Sequence, residues 1–171
     1  MKVAFVGWAG SGKTIAAKYL AEKFDGDVVS FADGIKYIDN YLFGSGKKDR
    51  SRLQRIGEFF RTFDEAIWVN RTLETIQLEV DANIFVDDLR RINEYDALIK
   101  EGFKVIRIIA DENIRIERLI TRDGFCDTSL LYNETESGCS NLSLSEIENN
   151  GTLEEFYKKI DEWVKDEANS N

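Results

Sequence analysis

Hydrophobic residues along the chain fall into two kinds of run. Short, nearly unbroken apolar stretches occupy Lys2–Val6 (KVAFV), 27–31 (DVVSF), 83–87 (NIFVD) and Lys104–Ile109 (KVIRII). Runs of this length, bounded by turn-forming or polar residues, are the pattern of strands buried on both faces. Between them the apolar positions recur at helical spacing. Ile15, Ala16, Tyr19, Leu20 and Phe24 follow Gly12, and Gly26 stands beyond them as a stop signal. Further helices are predicted over 34–42, 52–62 and 64–80, all between the second and third strands. Others are predicted over 94–101, closed by Gly102, over 113–122 and over 152–168. In the last, Leu153, Phe156, Ile160, Trp163 and Val164 form one apolar stripe, and Thr152 with Glu155 makes a capping box.

Strands alternating with helices predict an α/β fold with a parallel sheet covered on both faces. Two stretches depart from that rhythm. Residues 35–80 read as a helical insertion. Residues 123–144 are polar and punctuated by Gly124 and Gly138, a loop long enough to act as a lid. There is no internal repeat and no Pro- or Ser-rich linker, so 171 residues are expected to form one domain.

Composition removes several kinds of chemistry. The chain has no histidine, which excludes Ser-His-Asp and Cys-His catalysis and His-ligated zinc. Cys126 and Cys139 are its only cysteines, too few for a disulfide framework or a four-cysteine metal site. A formal net charge of −9 argues against broad nucleic-acid binding, so any anionic ligand must be met by local arginines. No apolar run approaches the roughly 20 residues that span a bilayer. The opening residues reach glycine too early for a signal peptide, and a cytoplasmic location is expected.

What remains is chemistry by Lys, Arg, Asp, Glu and backbone amides, and one segment supplies it. Gly7-Trp8-Ala9-Gly10-Ser11-Gly12-Lys13-Thr14 fits G-x-x-x-x-G-K-[ST], after a predicted strand and opening a predicted helix. Glycines let the backbone wrap an anion with its N–H groups inward, and the helix N-terminus adds partial positive charge. Lys13 is expected to reach the β- and γ-phosphates of a nucleoside triphosphate, and the Thr14 hydroxyl to ligate Mg²⁺. Ile84-Phe85-Val86-Asp87-Asp88 is an apolar run ending in two aspartates, whose alternation lets one carboxylate face that loop. Arg90 and Glu94 follow, as a phosphate ligand and its orienting partner. Arg115, Arg118 and Arg122 share one helix face, and the last two lead into the loop at Asp123. Fixed guanidinium groups suit a transferring phosphoryl group because they bind two oxygens and never deprotonate. Within the insertion, Gln54 and Arg61 are placed to face a cleft, whereas Leu53, Ile56, Phe60 and Trp68 read as core.

Five segments together resemble the P-loop nucleoside monophosphate kinases, and more narrowly the deoxynucleoside monophosphate kinases of bacteriophages, which are related to dephospho-CoA kinase. They are GWAGSGKT (7–14), SFADGIK (30–36), RLQRIGEFFR with IWV (52–61 and 67–69), FVDDLRRINEYDALIKEGFKVIRI (85–108) and LSEIENNGTLEEF (144–156). The resemblance implies a three-layer P-loop kinase fold: a core (1–34, 81–122 and 144–171), a helical monophosphate-binding arm (35–80) and a small lid (123–143). It implies transfer of the γ-phosphoryl of ATP to a deoxynucleoside monophosphate, with Mg²⁺. The alternatives are a dephospho-CoA kinase-like enzyme and a nucleotide-dependent switch with little turnover. By the same resemblance, Lys13, Asp88, Arg118 and Arg122 are catalytic. Thr14 binds the metal, with Asp88 through the outer shell. Asp33, Lys36, Gln54, Arg61, Asp88, Arg90 and Glu94 hold the acceptor, and Asn150 with Gly151 lies near the adenine. The expected partner is the acceptor nucleotide, with neither nucleic acid nor membrane; a homodimer is left open, and the location becomes the host cytoplasm if the chain is viral. Gly34 and Ile92 stand where the family often has proline, and Asp87 where a small hydroxyl residue is common.

Overall fold

β1 (Lys2–Val6) is buried on both faces: Val3, Ala4, Phe5 and Val6 are each at most 4% exposed. Only a strand in the middle of a covered sheet meets that condition. The computed structural model describes residues 1–44, 49–79, 82–124, 138–139 and 141–169. Among them, β2 (Gly26–Val29), β3 (Asn83–Leu89), β4 (Lys104–Ile109) and β5 (Glu146–Glu148) join β1 in one sheet of order β2-β3-β1-β4-β5. Every pairing is parallel.

Alternation along β1 divides the core into two layers. Val3 and Phe5 pack with Phe85, Ile106, Ile108 and Ile147 beneath α1 (Lys13–Phe24) and the last helix, whose Phe156 and Ile160 are buried there. Ala4 and Val6 face the other way, with Ile84, Val86 and Leu89. That second layer is closed by α4 (Ile67–Leu78), through Val69 and Ile76, and by α5 (Ile92–Lys100), through Leu98. Two helices precede α4, namely α2 (Asp33–Phe43) and α3 (Arg50–Arg61); α6 (Glu112–Asp123) follows β4, and α7 (Leu153–Asn169) ends the described chain.

The insertion is held together by its own contacts. Asp49 caps α3 by accepting from the Arg52 N–H at 3.0 Å. Arg52 pairs with the buried Asp39 of α2 and lies over the Phe43 ring, 4.8 Å from its centroid. Trp68, 4% exposed, donates its indole N–H to the Gly57 carbonyl at 3.0 Å and meets Phe60 edge-on. The core role expected for Trp68 is correct, whereas Leu53, Ile56 and Phe60 are only half-buried.

β1 and β4 run over the residues expected, and α2, α3, α5, α6 and α7 lie within two residues of the expected bounds at each end. β3 runs two residues past its expected end, to Leu89, and three further differences have local causes. The left-handed residue ending α1 is Asp25 (φ 50°), and Gly26 instead begins β2. β2 stops at Val29, not 31, because the Ser30 N–H donates to the Asp33 carboxylate at 2.9 Å and turns the chain into α2. α4 begins at Ile67, three residues late, since the Asp64 carboxylate accepts from the Ala66 N–H and holds a turn there. β5 was not expected at all. Val80, the expected end of α4, and most of the 123–143 segment, Cys126 included, fall outside the described residues. No described helix is long and apolar enough to cross a membrane.

Candidate active site

Because all five strands are parallel, their C-terminal ends meet along one edge, where α/β proteins bind ligands. The glycine-rich segment leaves β1 at that edge and runs into the N-terminus of α1. Two of its glycines are required by their surroundings. A Cβ on Gly10 (φ 82°) would lie 2.7 Å from the Arg115 carbonyl oxygen, and one on Gly12 (φ 111°) would lie 2.3 Å from the Asn149 amide nitrogen. The turn is closed by the Ser11 N–H donating to the Trp8 carbonyl at 3.1 Å. Lys13 is 8% exposed, and its ammonium donates to the carbonyls of Gly7 and Trp8. Positive charge from Lys13 and from the start of α1 is thus gathered at the loop, an arrangement suited to polyphosphate.

The carboxylate that reaches this loop is Asp87; the alternation left the choice open, and the resemblance had pointed to Asp88. Thr14 Oγ1 donates to Asp87 Oδ2 at 2.6 Å, and Ser30 Oγ donates to Asp87 Oδ1 at 2.6 Å. Asp88 turns to the opposite side and accepts from the backbone N–H groups of Phe31 and Ala32 at 2.8 and 3.0 Å. Phe85 packs in the α1 layer and Asp87 lies two residues on, toward the start of α1; an irregularity in the β1–β3 register then offsets the alternation, so that Leu89 joins Val86 in the other layer. Burial, and then the neighbouring Asp87, raises the Asp88 carboxyl above its ordinary range, against Arg90 and the two N–H groups. A hydroxyl with a carboxylate behind it is a hard-oxygen donor pair that fits Mg²⁺ held mainly by phosphates and water.

Beyond β3, charged side chains from the core and the insertion converge. Arg61 of α3 and Arg91 both donate to Glu58 Oε1, at 2.9 and 2.6 Å. Burial, and then Arg91, lowers the pKa of Arg61. Glu94 is 3% exposed and accepts from the N–H groups of Arg90 and Arg91 at 2.9 and 3.0 Å. Burial pushes its carboxyl up to about 7, against those two hydrogen bonds. Arg90, Glu94 and Arg61 are therefore gathered at the end of β3. Lys36 pairs with Asp33 at 2.7 Å at the start of α2. Gln54 is exposed on α3.

On α6 the three arginines diverge. Arg115, 5% exposed, donates to the Ala9 carbonyl at 3.3 Å, with its guanidinium 5.9 Å from the centroid of the Trp8 ring. Arg118 reaches the Gly10 carbonyl at 3.5 Å and Asn149 Oδ1 at 3.3 Å. Arg122, expected beside them, instead pairs with Asp123 at 2.8 Å, at the exposed end of the helix. Asn149 is buried against the loop and donates to the Ser11 carbonyl at 2.7 Å. Asn150 accepts from the Asp111 N–H at 2.8 Å, beside a cavity of about 140 Å³ that it lines with Ala110, Asp111 and Glu148. Gly151 leads into the expected capping box, with Thr152 N–H to Glu155 at 2.8 Å and Glu155 N–H to Thr152 at 3.2 Å.

Sequence reasoning did not select Ser30, Glu58, Arg91, Arg115 or Asn149 for the site. The three-residue spacing of Arg115 and Arg118 was a usable signal. Asn149 and Glu58 carried none beyond their place beside residues already chosen.

No established protein-family profile matches the chain. One curated relative is 32% identical over 112 residues, the uncharacterized protein ORF77 of Ictalurid herpesvirus 1 (strain Auburn). The match covers 62% of this chain, and the chain spans about half (49%) of that protein's length. Among solved structures, TT1252 from Thermus thermophilus superposes with a TM-score of 0.63 at 19% identity, over 97% of both chains. A gluconokinase from Sinorhizobium meliloti 1021 gives 0.55 at 19% identity, over 93% of this chain and 88% of its own. Dephospho-CoA kinase from Campylobacter jejuni gives 0.54 at 18% identity, over the whole of both. The α/β fold expected from the sequence is thus the fold shared with these solved structures: a parallel five-stranded sheet flanked by helices, with the glycine-rich loop leaving its central strand.

Proposed function

We propose that the protein is a phosphotransferase that moves the γ-phosphoryl of ATP to a deoxynucleoside monophosphate. The observation that carries this reading is the convergence of Arg61 and Arg91 on one carboxylate oxygen, that of Glu58. Two guanidinium groups aimed at a single oxygen form an anion-binding position. Arg91 follows the strand whose Asp87 meets Thr14, so that position shares the sheet edge with the phosphate loop.

ATP would supply the phosphoryl group, and bound Mg²⁺ would supply neutralisation of its negative charge. The chain's own residues supply the rest. The loop amides and Lys13 bind the polyphosphate, and Thr14, with Asp87 behind it, would hold the metal. Arg115 and Arg118 place positive charge on the far side of the loop, where charge spreads during transfer. Arg61 and Arg91 bind the acceptor's phosphate. That acceptor is already an anionic nucleophile at neutral pH, so no general base is asked of a chain without histidine.

A second reading, transfer to a hydroxyl as in dephospho-CoA kinase, is favoured by Asp33, a carboxylate at the same edge that could take the proton. ADP release measured over a panel of deoxynucleoside monophosphates and dephospho-CoA separates the two. Turnover with at least one monophosphate and none with dephospho-CoA is expected. The reverse pattern establishes the hydroxyl acceptor, and no turnover with any acceptor removes the kinase assignment.

A further inference from the structure

We propose that Asn149 is a positioning residue that sets the nucleotide-binding form of the phosphate loop by fixing the peptide between Ser11 and Gly12. The inference rests on the reading of that loop as a nucleotide site and does not depend on which acceptor is used.

Asn149 follows β5, is 4% exposed, and is anchored by its own N–H donating to the Ile109 carbonyl at 2.8 Å. Its side chain spans two elements. Nδ2 donates to the Ser11 carbonyl at 2.7 Å, and Oδ1 accepts from Arg118 at 3.3 Å. Arginine offers only donors, so the amide oxygen must face Arg118 and the NH₂ must face Ser11. The amide therefore has one orientation that satisfies both partners. In a trans peptide the C=O and N–H point in opposite directions. Holding the Ser11 carbonyl toward Asn149 turns the Gly12 N–H away from it, into the hollow where amides must point to wrap a polyphosphate. Residue 12 is glycine in part to admit this amide, since a Cβ there would lie 2.3 Å from Nδ2. The same side chain tethers Arg118, so the loop and one of its cations share a support.

Asn149→Asp separates this role from simple packing. It keeps the shape and the acceptor for Arg118, and replaces the donor with a carboxylate oxygen set against a carbonyl. Titration calorimetry with ADP is expected to show affinity lowered about tenfold or more, as for a buried carbonyl left without its donor. A protonated carboxyl can donate again, so the gap from wild type should narrow as the pH falls from about 8 to about 5.5. Asn149→Ala cannot regain a donor and should keep its gap. Circular dichroism melts of the same samples report folding. ADP affinity within about twofold of wild type in folded Asn149→Asp overturns the proposal, as does a loss that is independent of pH and equal to that of Asn149→Ala. Should Asn149→Asp not fold, folded Asn149→Ala carries the test, and ADP affinity within about twofold of wild type overturns the proposal. Wild-type protein that ignores ADP removes the nucleotide site itself, and this proposal with it. ADP binding without phosphorylation of any monophosphate removes only the acceptor assignment.

Discussion

Lys13 and Thr14 are neighbours with separate duties, one a point charge on the loop carbonyls and the other a hydroxyl held by Asp87. Replacing Lys13 by Ala removes the cation and leaves the glycine turn, so turnover should fall by about 10³ or more with the circular dichroism spectrum unchanged. Asp87→Asn should lower turnover about a hundredfold and raise the Mg²⁺ requirement, whereas Asp88→Asn should act mainly on stability. A titration of rate against Mg²⁺ compares the two. Glu94 gives a pH signature. The folded protein keeps its proton up to about pH 7, while an unfolded glutamate releases it near its ordinary 4.5. Stability from this group is complete below pH 4.5 and is lost as pH rises to 7, on the order of 3 kcal/mol. Glu94→Gln should therefore melt progressively higher than wild type as pH increases from about 5 to about 8. At this scale the loop was fully legible, because its chemistry fixes residue types at fixed spacing. The choice between Asp87 and Asp88 was not, because parity selects a side only once the helix covering each face is known.

Elements meet the site through close backbone approaches. Gly10 lies against the first turns of α6, and a methyl group there would press on the Arg115 backbone in a left-handed conformation. Gly10→Ala should thus cost about 1–3 kcal/mol and weaken ADP binding, as read by thermal melts and calorimetry on the same protein. Trp68 fastens α4 to α3, and Trp68→Ala should cost about 3–5 kcal/mol in a denaturant titration. The long helices and the four apolar strands were readable from periodicity. β5 was not, because its three residues alternate Glu-Ile-Glu and bury only Ile147. It exists because β4 offers an open edge, which is tertiary information.

Across the whole molecule, the insertion meets the core through the apolar face of α4 and, among the described residues, through ion pairs that include Arg91 with Glu58 and Arg50 with Asp123 at 2.6 Å. The second joins the start of α3 to the end of α6. Exposed pairs contribute below about 1 kcal/mol, so Asp123→Ala should shift the melting temperature by less than about 4 °C. It should nevertheless raise the acceptor KM several-fold, because it frees the insertion from the helix that carries Arg115 and Arg118. Steady-state kinetics against acceptor concentration, beside a melt, test both halves.

Among the described residues β5 has a neighbour on one side only, and its pairing with β4 spans three residues. Sheet margins of this kind fray before the interior does. Directly after that margin comes the asparagine that braces Ser11. Gentle warming should therefore unhitch the brace while the central strands still hold, and nucleotide grip should fade several degrees ahead of the loss of helical signal.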